Sequence, residues 1–118
     1  MARKDDLGRH GEDLAAAYLT DAGYRLVDRN WRCTQGEIDI IAERDGEIVF
    51  VEVKTRSGLA FGHPFEAITG PKLARLRRLA AAWCAQAEAW PARIRIDAIA
   101  VTAAAGAEPV VEHRTGVF

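Results

Sequence analysis

Two sequence runs with strong strand character, separated by a short turn, constrain the fold of this 118-residue chain more than any other feature. The runs cover residues 37–42 and 47–54, and the turn between them contains Asp45-Gly46. An Asp-Gly pair favours a two-residue hairpin loop, because both of its residues accept positive φ. The sequence therefore predicts an antiparallel β-hairpin in which Arg44 pairs with Glu47.

The register of this hairpin decides which side chains meet. Counting outward from the turn places Asp39 opposite Glu52 and Glu37 opposite Lys54, and directly opposed Cβ atoms lie about 4.5–5.5 Å apart. Side chains alternate between the two faces of a strand. The predicted apolar face holds Ile38, Ile40, Ala42, Val49, Val51 and Val53. The four charged residues gather on the other face, beyond Ile41 and Phe50.

Two carboxylates placed face to face repel each other and destabilise a sheet unless something compensates. The compensation at Asp39 and Glu52 could be a shared proton, Lys54 or a divalent cation. Hard oxygen ligands in this number suit Mg²⁺ or Mn²⁺. The alternative is that Lys54 pairs with Glu37 or Glu52 on a solvated face. Because the charges interrupt an otherwise apolar strand, we favour the metal site.

The rest of the chain predicts a mixed α/β domain. The pattern predicts a helix over 8–22, a strand over 24–28, turn residues over 30–36, a loop over 57–70, a helix over 71–88 and strands over 93–102 and 110–113. The apolar face of the first helix comprises Leu14, Ala15, Tyr18, Leu19 and Ala22. The buried stripe of the second comprises Leu73, Leu76, Ala80, Trp83, Cys84 and Ala87. We expect one domain, residues 1–118, with a central mixed sheet flanked by helices.

Composition narrows the function classes. Hydrophobic residues make up 49% and charged residues 28% of the chain, which is ordinary for a soluble globular protein. No apolar run reaches the roughly 20 residues that span a bilayer, and no signal peptide is evident, so we expect a cytoplasmic protein without a membrane partner. The two cysteines, Cys33 and Cys84, form neither a disulfide framework nor a zinc spacing, so we expect them to serve packing.

The net charge of −1 argues against a protein that binds nucleic acid mainly through an overall positive charge. Nucleic-acid binding would need a local basic patch together with metal ions. Arg56 is one candidate for contacts to phosphates, and the predicted second helix carries a basic ridge formed by Lys72, Arg75 and Arg78. The alternative for the ridge is a solvated helix face.

The charged hairpin also carries a family resemblance. Asp39, followed after twelve residues by Glu52-Val53-Lys54, resembles the PD-(D/E)XK signature of restriction-endonuclease-like nucleases, and the spacing is similar to that of archaeal Holliday junction resolvases. More closely, the chain resembles the YraN-like family of small uncharacterised bacterial proteins. The matching segments are residues 11–12, 36–41, 50–56 and 61–67, with a weaker match at 95–97. Ile38 stands where the signature has proline.

The resemblance implies a restriction-endonuclease-like fold and metal-dependent cleavage of DNA, including branched DNA. Asp39, Glu52 and Glu12 would be the catalytic carboxylates and ligands of Mg²⁺ or Mn²⁺, and Lys54 would position or deprotonate the attacking water. Glu37 is a rival of Glu12, or a partner that holds Lys54. A homodimer would suit a branched substrate. Two other functions stay open: a nucleic-acid-binding module with little or no turnover, and a protein-interaction domain.

Overall fold

A computed structural model describes residues 3–58 and 62–117 of the chain. Along the chain these form helix α1 (Arg3–Asp21), strands β1 (Arg25–Cys33), β2 (Gly36–Arg44) and β3 (Glu47–Arg56), a 3₁₀ turn (Pro64–Ala67), helix α2 (Gly70–Gln86), and strands β4 (Arg93–Thr102) and β5 (Val110–Arg114). The five strands form one sheet in sequence order. β3 and β4 are parallel, and the other neighbours are antiparallel. The predicted α/β class with a mixed sheet is confirmed.

The two helices cover opposite faces of the sheet, because alternate residues of the central strands belong to different cores. All five residues predicted for the apolar face of the first helix pack in the α1 core, against Val49 and Val51 of β3. The α2 core contains Phe50 of the same strand. Its helix residues include Leu79, which is fully buried and which the predicted stripe omitted. No helix in the described part of the chain is long and apolar enough to cross a bilayer.

The predicted hairpin is confirmed at its turn but not along its whole length. Asp45 and Gly46 adopt φ values of 53° and 79°, and Arg44 pairs with Glu47. The pairing between β2 and β3 continues to Ile40 and Val51 and ends there for the described residues. The predicted opposition of Asp39 to Glu52 and of Glu37 to Lys54 is therefore wrong.

A side chain explains why the pairing stops. The backbone N–H of Val53 donates to Oδ2 of Asp39 at 2.8 Å, so a carboxylate takes a donor that a ladder partner would otherwise use. The alternation of β2 also breaks here. Ile38 packs in the α2 core, whereas Ile40 and Ala42 pack in the α1 core, so the prediction that all three share one face is wrong.

β1 is longer than the sequence predicts. Residues 30–33, expected in a turn, belong to the strand because β2 lies beside them, with Trp31 paired to Ile38 and Cys33 to Gly36. Asn30 retains its turn character as a backbone irregularity, with φ of 55°. The predicted loop over 57–70 contains the 3₁₀ turn, which His63 caps at its start.

Candidate functional site

Asp39 lies where β2 and β3 part, and its carboxyl group is held by the N–H of Val53. Burial is the largest influence on this group, and the negative charge of Glu52 is the next. Together they raise the pKa of Asp39 to about 7, against the opposing effect of the Val53 hydrogen bond and with smaller contributions from Glu12 and Glu37. Near neutral pH, Asp39 is thus poised between its protonated and ionised forms and would gain from a bound cation.

Glu52 and Lys54 form an ion pair beside Asp39. Nζ of Lys54 lies 3.2 Å from Oε2 of Glu52, and Glu52 itself is only 6% exposed. Of the two partners predicted for Lys54, the structure thus has Glu52 rather than Glu37. Nε of Arg32 donates to Oε2 of Glu37 at 3.1 Å, so Glu37 has a partner of its own on β1.

Glu12 approaches the site from α1 and is held by two neighbours on β1. Its Oε1 accepts hydrogen bonds from Nδ2 of Asn30 at 2.7 Å and from Arg29, through Nη2 at 3.1 Å and Nε at 3.4 Å. Arg29 also donates to Asp13 at 2.7 Å. The bonds that Glu12 accepts from Arg29 and Asn30 all use one oxygen, and they fix the Glu12 side chain at the mouth of the site.

A close helix–sheet contact brings Glu12 to this position. A Cβ added at Gly11 would lie 2.0 Å from Oγ1 of Thr55, so only glycine allows α1 to approach β3 this closely. Gly11 belongs to the Gly-Glu pair that resembles the family motif. Its physical role is to allow close packing of α1 on β3, the strand that carries Glu52 and Lys54.

Two hollows lie at this site, and the linings of both include Gly8, Glu12 and Lys54. The Asp39 hollow, of about 570 Å³, is lined by Leu7, Gly8, Glu12, Asp39, Val53, Lys54, Thr55, Arg56 and Ser57. The Arg29 hollow, of about 1080 Å³, is lined by Gly8, Arg9, Glu12, Asp13, Arg29, Asn30, Arg32, Glu37 and Lys54. The structure thus brings Asp39, Lys54, Glu12 and Arg56 to one opening.

The predicted basic ridge is placed elsewhere. Lys72, Arg75 and Arg78 lie on α2, which packs on the sheet face opposite α1. Arg75 reaches the turn between β1 and β2, where its Nη1 lies 3.4 Å from the position of a Cβ on Gly36. Of the four predicted phosphate contacts, Arg56 alone lines a hollow that also contains Asp39.

Asp39 and Glu52 offer carboxylate oxygens, the type of ligand that a divalent cation such as Mg²⁺ prefers. Within residues 3–58 and 62–117, no three acidic, histidine or cysteine side chains are grouped to hold a metal by themselves. Glu12 therefore does not complete a ready-made three-carboxylate set with Asp39 and Glu52. Mg²⁺ binds through one or two carboxylates plus water and substrate phosphates, and Asp39 is the one of the two acids that lines an open hollow.

Sequence reasoning missed Arg29 and Asn30, which hold Glu12. The positive φ of Asn30 shows that β1 is irregular at this point, and such backbone strain concentrates at functional sites. The sequence pattern placed Asn30 in a turn, and that pattern did not indicate a contact with Glu12.

Asp97 received no role from sequence and forms a separate buried cluster. The carboxylate is fully buried and accepts two bonds from Arg95 at 2.8 Å, one from His113 at 2.7 Å and one from the N–H of Gly116 at 3.0 Å. Burial alone would raise the pKa of Asp97, but the bonds from His113 and Arg95 outweigh it and lower that pKa. The cluster joins β5 to β4, and through Tyr18 to α1.

The architecture and the site define a class of protein. A five-stranded mixed sheet flanked by two helices, with an aspartate, a glutamate and a lysine where two central strands part, is compatible with the restriction-endonuclease-like fold. Comparison with known sequences identifies the family. Residues 11–101 match the family described as "Uncharacterised protein family UPF0102".

Full-length relatives carry the same family name. The chain is 55% identical to a UPF0102 protein of Pseudarthrobacter chlorophenolicus, with 99% of this chain and 89% of the relative covered. It is also 55% identical to one from Arthrobacter sp., with 99% of each covered, and 48% identical to one from Rhodococcus opacus over the full length of both. The chain belongs to the UPF0102 family, and the YraN-like resemblance is confirmed.

Proposed function

We propose that this protein is a metal-dependent endonuclease that hydrolyses DNA phosphodiester bonds. The observation that carries the proposal is the carboxyl group of Asp39, whose pKa is raised by burial and by Glu52. Asp39 lines an open hollow together with Lys54, the ion-pair partner of Glu52. Asp39 is kept partly protonated by burial and by Glu52, so this environment favours a ligand that supplies positive charge. The same opening is lined by Arg56, whose charge suits a phosphate.

The proposed roles follow from the contacts. Asp39 and Glu52 would hold Mg²⁺ or Mn²⁺, which lowers the pKa of bound water and neutralises charge on the phosphate. The ammonium of Lys54 has three donors and uses one on Glu52, so the others can stabilise charge on the phosphate or orient water. Glu12, fixed by Arg29 and Asn30, would act through water at the edge of the site.

A substrate panel tests the proposal. Duplex, single-stranded and four-way-junction DNA are incubated with Mg²⁺ or Mn²⁺ and either wild-type protein, Asp39→Asn, Glu52→Gln or Lys54→Met. We expect each variant to slow cleavage by about 10²–10³-fold, the usual effect of removing one charge-stabilising group. Asp21→Asn, which changes an exposed aspartate of α1, is the matched control and should cleave normally. Cleavage that survives all three site variants would refute the assignment.

A second function, a nucleic-acid-binding module with little or no turnover, is favoured by the placement of Glu12. This carboxylate is engaged by Arg29 and Asn30 and is not grouped with the other acids into a three-ligand site. The same panel separates the two functions. Salt-sensitive binding without product in either metal would support the module, whereas metal-dependent product that Asp39→Asn abolishes supports the nuclease. Preference for the junction, together with dimerisation, would favour branched DNA as the substrate.

A further inference from the structure

The Arg29 hollow presents a row of guanidinium groups beside the Asp39 hollow. Arg9 comes from α1, and Arg29 and Arg32 come from β1. Counting Lys54, the lining has four cationic side chains against three carboxylates, a net charge of +1 in a chain whose net charge is −1. The three arginines thus place guanidinium groups next to the proposed catalytic residues.

The ion pairs in this hollow leave donors unused. Arg32 donates to Glu37 through Nε, and its two Nη groups make no hydrogen bond to the described residues. Arg29 uses Nε and Nη2 on Glu12 and Asp13, which leaves Nη1. Arg9 is exposed and forms no ion pair with the described side chains of residues 6–58 and 62–117. Since guanidinium carries five donors in a planar fork, each of these groups can still bind a phosphate.

The two hollows together have room for more than one phosphate group. The linings of the two hollows share Gly8, Glu12 and Lys54, and a Cβ added at Gly8 would have no atom within 4 Å. The side chain of Arg32 is 77% exposed, so an incoming phosphate can reach it. The path leads from Arg56 and Lys54 in one hollow to the arginines in the other.

We infer that Arg9, Arg29 and Arg32 form a phosphate track that binds the sugar–phosphate backbone of nucleic acid on the α1–β1 side of the site. This inference rests on the proposed function and specifies where its substrate lies. It also moves the main binding surface away from the basic ridge of α2, which lies on the opposite face of the sheet.

Two charge-matched double variants test the track. Arg9→Gln/Arg32→Gln removes two cations from the hollow, and Lys72→Gln/Arg78→Gln removes two from the ridge, so both change the net charge equally. Arg29 is left intact because it holds Glu12. Binding of fluorescein-labelled duplex and single-stranded DNA is measured by fluorescence anisotropy in EDTA over a range of salt, so that no metal-dependent cleavage occurs. Circular dichroism and thermal midpoints check folding.

We expect the hollow variant to weaken binding about tenfold and to reduce the slope of log K against log salt by about 2, because each lost phosphate contact removes about one unit. The ridge variant should weaken binding less than about twofold. Equal losses from the two variants, a larger loss from the ridge, or no binding by wild-type protein would overturn the track. If a double variant unfolds, Arg9→Gln is compared with Lys72→Gln by the same criteria.

The nuclease and the track can fail separately. Binding that depends on Arg9 and Arg32, with no metal-dependent product from wild-type protein, retains the track and removes the nuclease. Cleavage that depends on Asp39, with binding insensitive to the arginines, retains the nuclease and removes the track. Comparing the duplex with the single strand shows which form of the phosphate backbone the track prefers.

Discussion

Replacing Asp39 with asparagine should stabilise the protein at pH 8 and leave its stability nearly unchanged near pH 4. Asparagine keeps the shape of the side chain and the oxygen that accepts from the N–H of Val53. It removes the charge that is forced into a buried position beside Glu52. The expected gain is therefore the relief of an electrostatic cost, and it should build up between the unfolded pKa of 3.8 and the folded pKa of about 7.

The magnitude follows from the pKa. In the folded protein the pKa of Asp39 is raised from 3.8 to about 7. Between these values the unfolded chain is ionised while the folded chain still holds the proton, so wild-type stability falls as pH rises and levels off above about pH 7. At about 1.4 kcal/mol per pH unit the full cost would be about 4 kcal/mol. Because the carboxyl group is partly open to water, screening lowers this toward about 2 kcal/mol.

Urea unfolding between pH 4 and pH 8, in EDTA, measures the effect for wild type, Asp39→Asn and the control Asp21→Asn. The free-energy difference between Asp39→Asn and wild type should grow by about 2–4 kcal/mol from pH 4 to pH 8, and the control should show no such growth. Mg²⁺ at pH 8 should stabilise wild type and not Asp39→Asn. A difference that is flat with pH, or a variant less stable than wild type at pH 8, would refute the reasoning.

Three further predictions follow from the same site and from the buried cluster behind it. Mg²⁺ affinity, measured by calorimetry, should rise between about pH 5 and pH 7 because Asp39 must lose its proton to bind; a constant affinity would contradict metal binding there. Asn30→Ala should lower the free energy of unfolding by about 1 kcal/mol more than Asn30→Gly, because φ of 55° suits glycine; equal losses would show that the backbone at this position is unstrained. Asp97→Ala should cost about 3–5 kcal/mol in urea unfolding, because it leaves Arg95 facing a buried gap; a loss below about 1 kcal/mol would mean that the cluster contributes little.

Local patterns in the sequence predicted much of the fold. The Asp45-Gly46 turn carries its own backbone requirement, so the hairpin could be identified without knowing its neighbours. The apolar face of α1 followed from helical periodicity, and the strand at 93–102 followed from its alternation and has those bounds in the structure. Residues 30–33 were mispredicted because their strand conformation depends on pairing with β2.

The candidate site, like the fold, could be predicted only in part from the sequence. The hairpin and the resemblance were enough to select Asp39, Glu52 and Lys54. Charged residues that interrupt an apolar central strand can be recognised from the sequence alone. The predicted register holds from Arg44–Glu47 to Ile40–Val51, but a bond between a carboxylate and a backbone N–H ends the ladder before the predicted pair of Asp39 and Glu52. Asp39 and Lys54 nevertheless line one hollow, and Lys54 forms an ion pair with Glu52.

The sequence by itself determined the hairpin turn, the helix faces and the acidic and basic residues of the central strand, because each depends on neighbours along the chain. The tertiary structure alone decided that Arg29 and Asn30 hold Glu12, that Lys54 pairs with Glu52, and that the basic ridge lies on the far side of the sheet. These contacts join separate elements. Their geometry is set by how closely α1 approaches β3 at Gly11 and by where β2 and β3 part, and no local pattern encodes either distance.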